Sequence, residues 1–511
     1  MEVQEQKVAS GSKKKWLIGG GVAALVLAGG VGAGALFMKS PKAAYLAAES
    51  ETASEMVAFF EDKYKEELKW SELAKTAVIQ NDLKITGEIQ SDYEESPIFD
   101  IINSSAINIS ATSDVKNKKF AFGLGGEIAD VKVDNFELFA TQEEYVFNAP
   151  FLTEAISVSA EKLNELADGE LSCGQDVLFE TEIMTKEQQE YIKKNLATTI
   201  FKELPEEAFT KEKNKIVMDL SKQDVKKVME AIAKKLETDP ELETILKQVM
   251  ATQGVCDDET VTEMKKQLID GLGEIEFGFV STIWVEKGKI IERELKFKET
   301  DDFVITGKQT FGNEFTFDYQ LKGAEEQVSI DGKFQKSDKA SDRVQLAIED
   351  VKIVYESEEN KEKNQHNFER KFIFEGAGES VTLNWDGTSE YRADSVNGEH
   401  TIYIEMAGLG KIAITIEQDS KKVKAIELPA KIKDVSNLSE EELSDYMATV
   451  LENALVWAEN FMEETGFNDY FYDDYYYDDY YYDEDFDFDE YYGEDYDFEF
   501  DEDYEENQDD Y

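Results

Sequence analysis

From Trp16 to Phe37 the chain is apolar and uncharged over 22 residues. As a helix that run spans about 33 Å, enough for the hydrocarbon core of a bilayer. It predicts a transmembrane helix, and its glycines are no objection because backbone in lipid must satisfy its own hydrogen bonds. From Ala43 to about Thr76 the apolar period becomes helical, with Tyr45, Met56, Val57, Phe59, Phe60, Tyr64, Leu68 and Leu73 set among Glu and Lys. That spacing predicts a surface helix. Between Asp82 and Leu152 the period falls to two, as in Leu83 to Ile89, Ala106 to Ala111 and Phe136 to Phe139, and antiparallel strands are expected with a turn at Val133-Asp134-Asn135.

A helical middle follows over residues 153–272. Ser221 stands three residues before Asp224 and heads Val225, Val228, Met229 and Ile232, while Asp239-Pro240 offers a cap and a first-turn proline. Strands return from Glu274 to Pro429. Lys287-Gly288, Gly312-Asn313, Asp331-Gly332, Asp386-Gly387, Asn397-Gly398 and Gly408 to Gly410 read as hairpin turns between them. A last helix begins at Ser439, which makes a capping box with Glu442 and leads a stripe through Leu443, Met447, Leu451 and Ala458. The expected fold class is α+β: an N-terminal transmembrane helix, an ectodomain of curved antiparallel β-sheet covered by helices, and a disordered acidic-aromatic C-terminal tail. The expected segments are 1–15 (basic, cytoplasmic), 16–37 (transmembrane), 43–152, 153–272, 273–467 and 468–511 (tail).

Charge sharpens this picture at both ends. Lys13, Lys14 and Lys15 precede the apolar run, against Lys39 and Lys42 after it. The positive-inside rule then gives a single-pass cell-membrane protein with a cytoplasmic N-terminus and an extracytoplasmic bulk. The alternative is a signal peptide cleaved after Ala35. Gly30 and Gly34 form a GxxxG pair, the basis for a weak homodimer. Of the net charge of -58, a share of -22 falls between Asn468 and Tyr511, where 22 acids and 18 Tyr or Phe stand without a Lys or Arg. So acidic a chain repels polyphosphate, and nucleic-acid binding is excluded. Repulsion should keep the tail extended. Tyr472, Tyr475, Tyr476, Tyr477, Tyr480, Tyr481, Tyr482, Phe486 and Phe488 interleave with its carboxylates. That pattern is a candidate surface for a basic protein, a polycation or divalent ions, through cation–π contacts and charge. The competing reading is a tail that only adds solubility.

Candidate chemistry is sparse. The only cysteines, Cys173 and Cys256, are either a disulfide or two buried thiols, and their loop-like flanks favour the bridge. His366 and His400 fall in no metal-binding spacing and read as exposed strand histidines. No glycine-rich phosphate or dinucleotide loop is complete, so no cofactor and no enzymatic role is expected. Carboxylates are too numerous for any pair to announce a glycosidase.

Lys13 to Phe37 followed by Ala43 to Tyr64, above all Lys42-Ala-Ala-Tyr45, resembles an uncharacterised family of membrane-anchored extracytoplasmic proteins of Gram-positive bacteria. The order of helix and strands is similar to the half-barrels of lipoprotein carriers. This resemblance implies a non-catalytic binding or interaction protein that holds an apolar ligand or partner. The alternatives are a structural envelope protein presenting the tail and an extracellular carboxylate-dependent hydrolase.

Overall fold

The computed structural model describes residues 40–91, 96–166, 184–252, 255, 257–298, 303–323, 327–406 and 410–465. The apolar run 16–37, Gly30 and Gly34, Cys173, Cys256 and the tail aromatics from Tyr472 to Phe488 lie outside the described residues. The chain divides into one unit ending at Trp457 and a second beginning at Ala458.

The helices are α1 (Pro41–Lys63), α2 (Lys65–Ala74), α3 (Pro97–Asn103), α4 (Ala160–Leu166), α5 (Lys186–Glu203), α6 (Lys222–Thr238), α7 (Pro240–Ala251), α8 (Asp258–Gly273) and α9 (Glu440–Thr465). Their starts follow local chemistry. Ser221 and Asp224 cap α6 reciprocally, the Asp239 side chain accepts from Glu241 and Leu242 at the head of α7, and Ser439 pairs with Glu442 before α9.

The first strands are β1 (Val78–Gln90), β2 (Ala106–Asp114), β3 (Lys119–Ile128), β4 (Val131–Thr141), β5 (Glu144–Asn148) and β6 (Ala155–Ser159). Next come β7 (Phe209–Glu212), β8 (Lys215–Leu220), β9 (Phe279–Glu286), β10 (Lys289–Phe297), β11 (Val304–Thr310), β12 (Glu314–Lys322), β13 (Gln327–Gln335) and β14 (Lys339–Ile348). The series closes with β15 (Val351–Glu362), β16 (Gln365–Gly376), β17 (Glu379–Tyr391), β18 (Ser395–Met406), β19 (Gly410–Val423) and β20 (Ile432–Asp434). Among the described residues all belong to one sheet of 20 strands. From β7 to β19 each strand pairs antiparallel with the next, and β19 then pairs with β1, which continues through β2 to β6. The short β20 adds to β6 in parallel.

This corrects the expected fold class. Rather than an α+β domain with its sheet covered by helices, a single, almost wholly antiparallel sheet dominates, and helices cover only part of it. α5 and α6 pack with α1 against β8 to β10 around Met218, Ile283 and Ile290, which have no exposure. The single-pass placement is corrected as well. Among the described residues no helix is long and apolar enough to cross a membrane.

Several expected turns are mid-strand. Asp331-Gly332 lies inside β13, Asp386-Gly387 inside β17, Asn397-Gly398 inside β18 and Val133 to Asn135 inside β4. The glycines are there for cross-strand space. A Cβ on Gly332 would meet the Phe317 ring at 2.5 Å, and one on Gly387 would meet His400 and Phe368 at 2.6 Å. Glycine in a strand commonly marks such close approach. Lys287-Gly288 does form a turn, with φ of 50° and 86°.

Candidate functional site

α1 crosses successive strands of the sheet. Tyr45 meets β9, Glu49 meets β10, Phe59 meets β12 and Lys63 meets β14, and Glu67 of α2 reaches β16.

The helix face on the sheet is unusually polar. The Tyr45 hydroxyl shares a hydrogen bond of 2.7 Å with Ser281, and Thr52 accepts from the Ile290 backbone at 2.8 Å. Arg293 donates to Glu49 at 2.6 Å. Lys63, all but inaccessible, lies 2.7 Å from Asp342 Oδ2 and 3.3 Å from Glu359 Oε2, and donates to the Gln335 carbonyl at 3.0 Å. Arg370 reaches the other Glu359 oxygen at 3.4 Å. A buried charge survives when it is paired and hydrogen-bonded, and these are.

Beyond Lys63, α2 and strands β15 to β19 line a half-open cavity of about 570 Å³, with Trp70, Arg370, Trp385, Tyr391, His366 and His400 in its wall. The Arg370 guanidinium lies 3.9 Å from the Phe368 ring centroid and 4.7 Å from that of Trp385. His366 faces Glu67 at 3.3 Å and packs on Tyr391 at 4.9 Å. Glu67 Oε2, Arg370 Nε, Trp385 Nε1 and His400 Nδ1 are buried without a hydrogen-bonding partner among the described residues. All four residues line this one cavity. Orphaned buried polar atoms are costly, so their convergence marks a place where a ligand's polar group would be stabilised.

The charges are tuned by the same surroundings. Burial, with the Arg370 charge, lowers the His400 pKa and favours its neutral form. Burial alone would raise Glu67, but its hydrogen bond to His366 and the Lys361 charge hold it below the usual carboxylate range. Burial, with the charge of Glu67, pushes Tyr391 up to about 12.

The cavity adjoins an uncovered apolar surface on the same sheet face. Directly opposed residues share a face, and the register therefore lines up Leu346, Ile353, Phe374 and Val381 in one row, and Phe372, Leu383, Ile404, Ile412 and Ile89 in the next. A third row is Trp385, Ile402 and Ile414, of which Trp385 and Ile402 also line the cavity. Phe374, Val381, Ile412 and Ile414 are 46 to 50% exposed. The opposite face reads Glu369, Asp386, Thr401, Thr415 and Thr86 across the same strands. The apolar side is thus the face a sheet ordinarily packs on a core, here left open by the described residues.

No family model matches the chain, and no curated protein matches it. Several solved structures match it. They include Salmonella typhi OmpF in complex with daunomycin (6% identity, 68% of this chain and 99% of that chain, TM-score 0.21). Pseudomonas aeruginosa OccK9 (6%, 68% and 98%, TM-score 0.23) is another. A third is Vibrio cholerae OmpT with loop L8 deleted (7%, 68% and 99%, TM-score 0.18). TM-scores this low carry no argument about the fold or role of this chain.

The structure brings both histidines to the cavity, so the reading of exposed strand residues is corrected: His366 is buried and His400 half-buried. Both line the cavity beneath α2 rather than open solvent. Sequence reasoning missed Arg370, Trp385 and Glu67. One signal was present, since Arg370 interrupts the alternating row His366, Phe368, Phe372 and Phe374 of β16 and so stands on an otherwise aromatic face.

Proposed function

We propose that this is a binding protein that holds an apolar chain on the uncovered face of its sheet, between the cavity beneath α2 and the far ends of β15 to β19. The observation that carries it is the contiguous set of half-exposed aliphatic and aromatic side chains on the face that α1 crosses, beside a polar face built as a wet surface should be. Soluble monomers rarely expose apolar patches of such extent without using them. Mechanistically the sheet is a rigid platform, and binding would be driven by removing apolar area from water.

A pyrene-labelled alkyl chain should bind the full chain saturably. The double variant Phe374→Glu/Ile414→Glu should lower its affinity about ten-fold to a hundred-fold, the equivalent of about 1.5–3 kcal/mol for lost apolar contact. Both residues are half-exposed, so the fold should persist. A wild-type protein that gives no saturable signal, or a variant that binds unchanged, would remove this reading.

A further inference from the structure

The orphaned donors beside the apolar rows say more about the ligand than the rows do. Arg370 and Trp385 are directly opposed across β16 and β17, and His400 follows on β18, its ring centroid 6.2 Å from that of Trp385. The indole N–H can only donate, the guanidinium is always charged and can only donate, and Nδ1 of a neutral imidazole donates in one of its two tautomers. Glu359 is already engaged by Lys63 and Arg370 and does not compete for the free Arg370 Nε. Glu67 is engaged through Oε1 by His366, four residues along β16 from Arg370. Around Arg370 the cavity offers donors, a guanidinium charge and aromatic walls, directly continuous with Ile402 and Ile414.

We propose that Arg370, Trp385 and His400 seat the anionic head group, carboxylate or phosphate, of an amphiphile whose apolar chain lies along the sheet. The inference rests on the apolar-chain reading and narrows it to anionic amphiphiles. Acceptor oxygens would satisfy the Arg370 Nε and Trp385 Nε1 hydrogens together, a charge-assisted arrangement stronger than a neutral pair. Trp385 bridges the two halves, with its ring in the apolar row and its N–H in the head-group seat.

Calorimetric titration of the full chain with hexadecanoic acid, hexadecyl phosphate, hexadecanol and hexadecyltrimethylammonium tests this at a pH where the acids are ionised. The anionic chains should bind about ten-fold tighter than the alcohol, with the ammonium weakest. The tighter of the two anions names the head. Trp385→Phe keeps the ring and removes only the N–H. It should weaken the anions about three-fold or more while sparing the alcohol. Arg370→Gln should bring the anions to the alcohol's affinity. Equal binding of acid and alcohol by the wild type, or Trp385→Phe affecting neither anion, would overturn the anionic seat and leave the apolar reading standing. Failure of all four chains to bind would overturn both.

Discussion

Replacing Lys63 by Met lowers the unfolding free energy by about 3–5 kcal/mol, because it leaves buried carboxylates without their cation. Lys63 is the shared partner of Asp342 and Glu359, and the side chains of Lys63 and Asp342 are 2% and 0% exposed. A methionine fills much the same space, so the loss is electrostatic rather than a cavity. Arg370 remains as the partner of Glu359, whereas the other oxygen of Asp342 only accepts the Gln335 backbone N–H, which carries no charge. Urea unfolding should show a lower midpoint with an unchanged slope. The double replacement Lys63→Met/Asp342→Leu should recover part of the loss, since swapping both partners for apolar groups is far cheaper than orphaning one. A single variant as stable as the wild type would mean that the cluster is hydrated and that α1 does not clamp β14 and β15.

The second large effect lies at the other end of the same helix. Tyr45 is 1% exposed, packs edge-on against Phe209 at 5.6 Å, and belongs to the core shared by α1 and β8 to β10. Tyr45→Ala should cost about 3–5 kcal/mol, the range for emptying an aromatic site in a core. Tyr45→Phe keeps the ring and loses only the hydroxyl contact with Ser281, which has no exposure, so it should cost about 1–3 kcal/mol. The ratio of the two losses, read from unfolding curves of the three proteins, separates packing from hydrogen bonding at this position. If Tyr45→Phe proves as damaging as Tyr45→Ala, the polar contact rather than the core fixes the helix.

These two residues also explain what the sequence conceals. The stripe that α1 lays on the sheet contains Lys42, Glu49, Thr52 and Lys63 beside Tyr45 and Phe59, all buried. A reading based on apolar periodicity weakens when charged positions occupy the buried face, and the segment looks like a surface helix. The strands were legible because alternation is local: Leu83, Ile85 and Ile89 share one face of β1 as their spacing implies. Pairing of β1 with β19 was not, for it joins residues more than three hundred positions apart without any local signal. Nor does period two tell what covers a face. Ile412 and Ile414 look like core residues in the sequence, and only the fold leaves them half-exposed.

The dipeptides Asp386-Gly387 and Asn397-Gly398 carry the same lesson for the site. Local turn chemistry favours hairpins there, but the sheet uses both glycines to make room for His400, whose ring would meet a Cβ at either position within 2.8 Å. The residues that shape the cavity thus imitate punctuation. His366 and His400 were visible as types, but nothing short of the register from β15 to β19 places them beside Arg370 and Trp385.

The central claim is that an apolar chain lies on the uncovered face of the sheet, and photo-crosslinking tests it most directly. An alkyl chain bearing a diazirine, irradiated with the full chain and mapped by peptide mass spectrometry, should label Phe374, Val381, Ile412, Ile414 and their row neighbours on β16 to β19 and β1. Glu369, Asp386, Thr401 and Thr415 on the opposite face should stay unlabelled. Label confined to that opposite face, or absent from these strands while appearing elsewhere in the chain, would contradict the account.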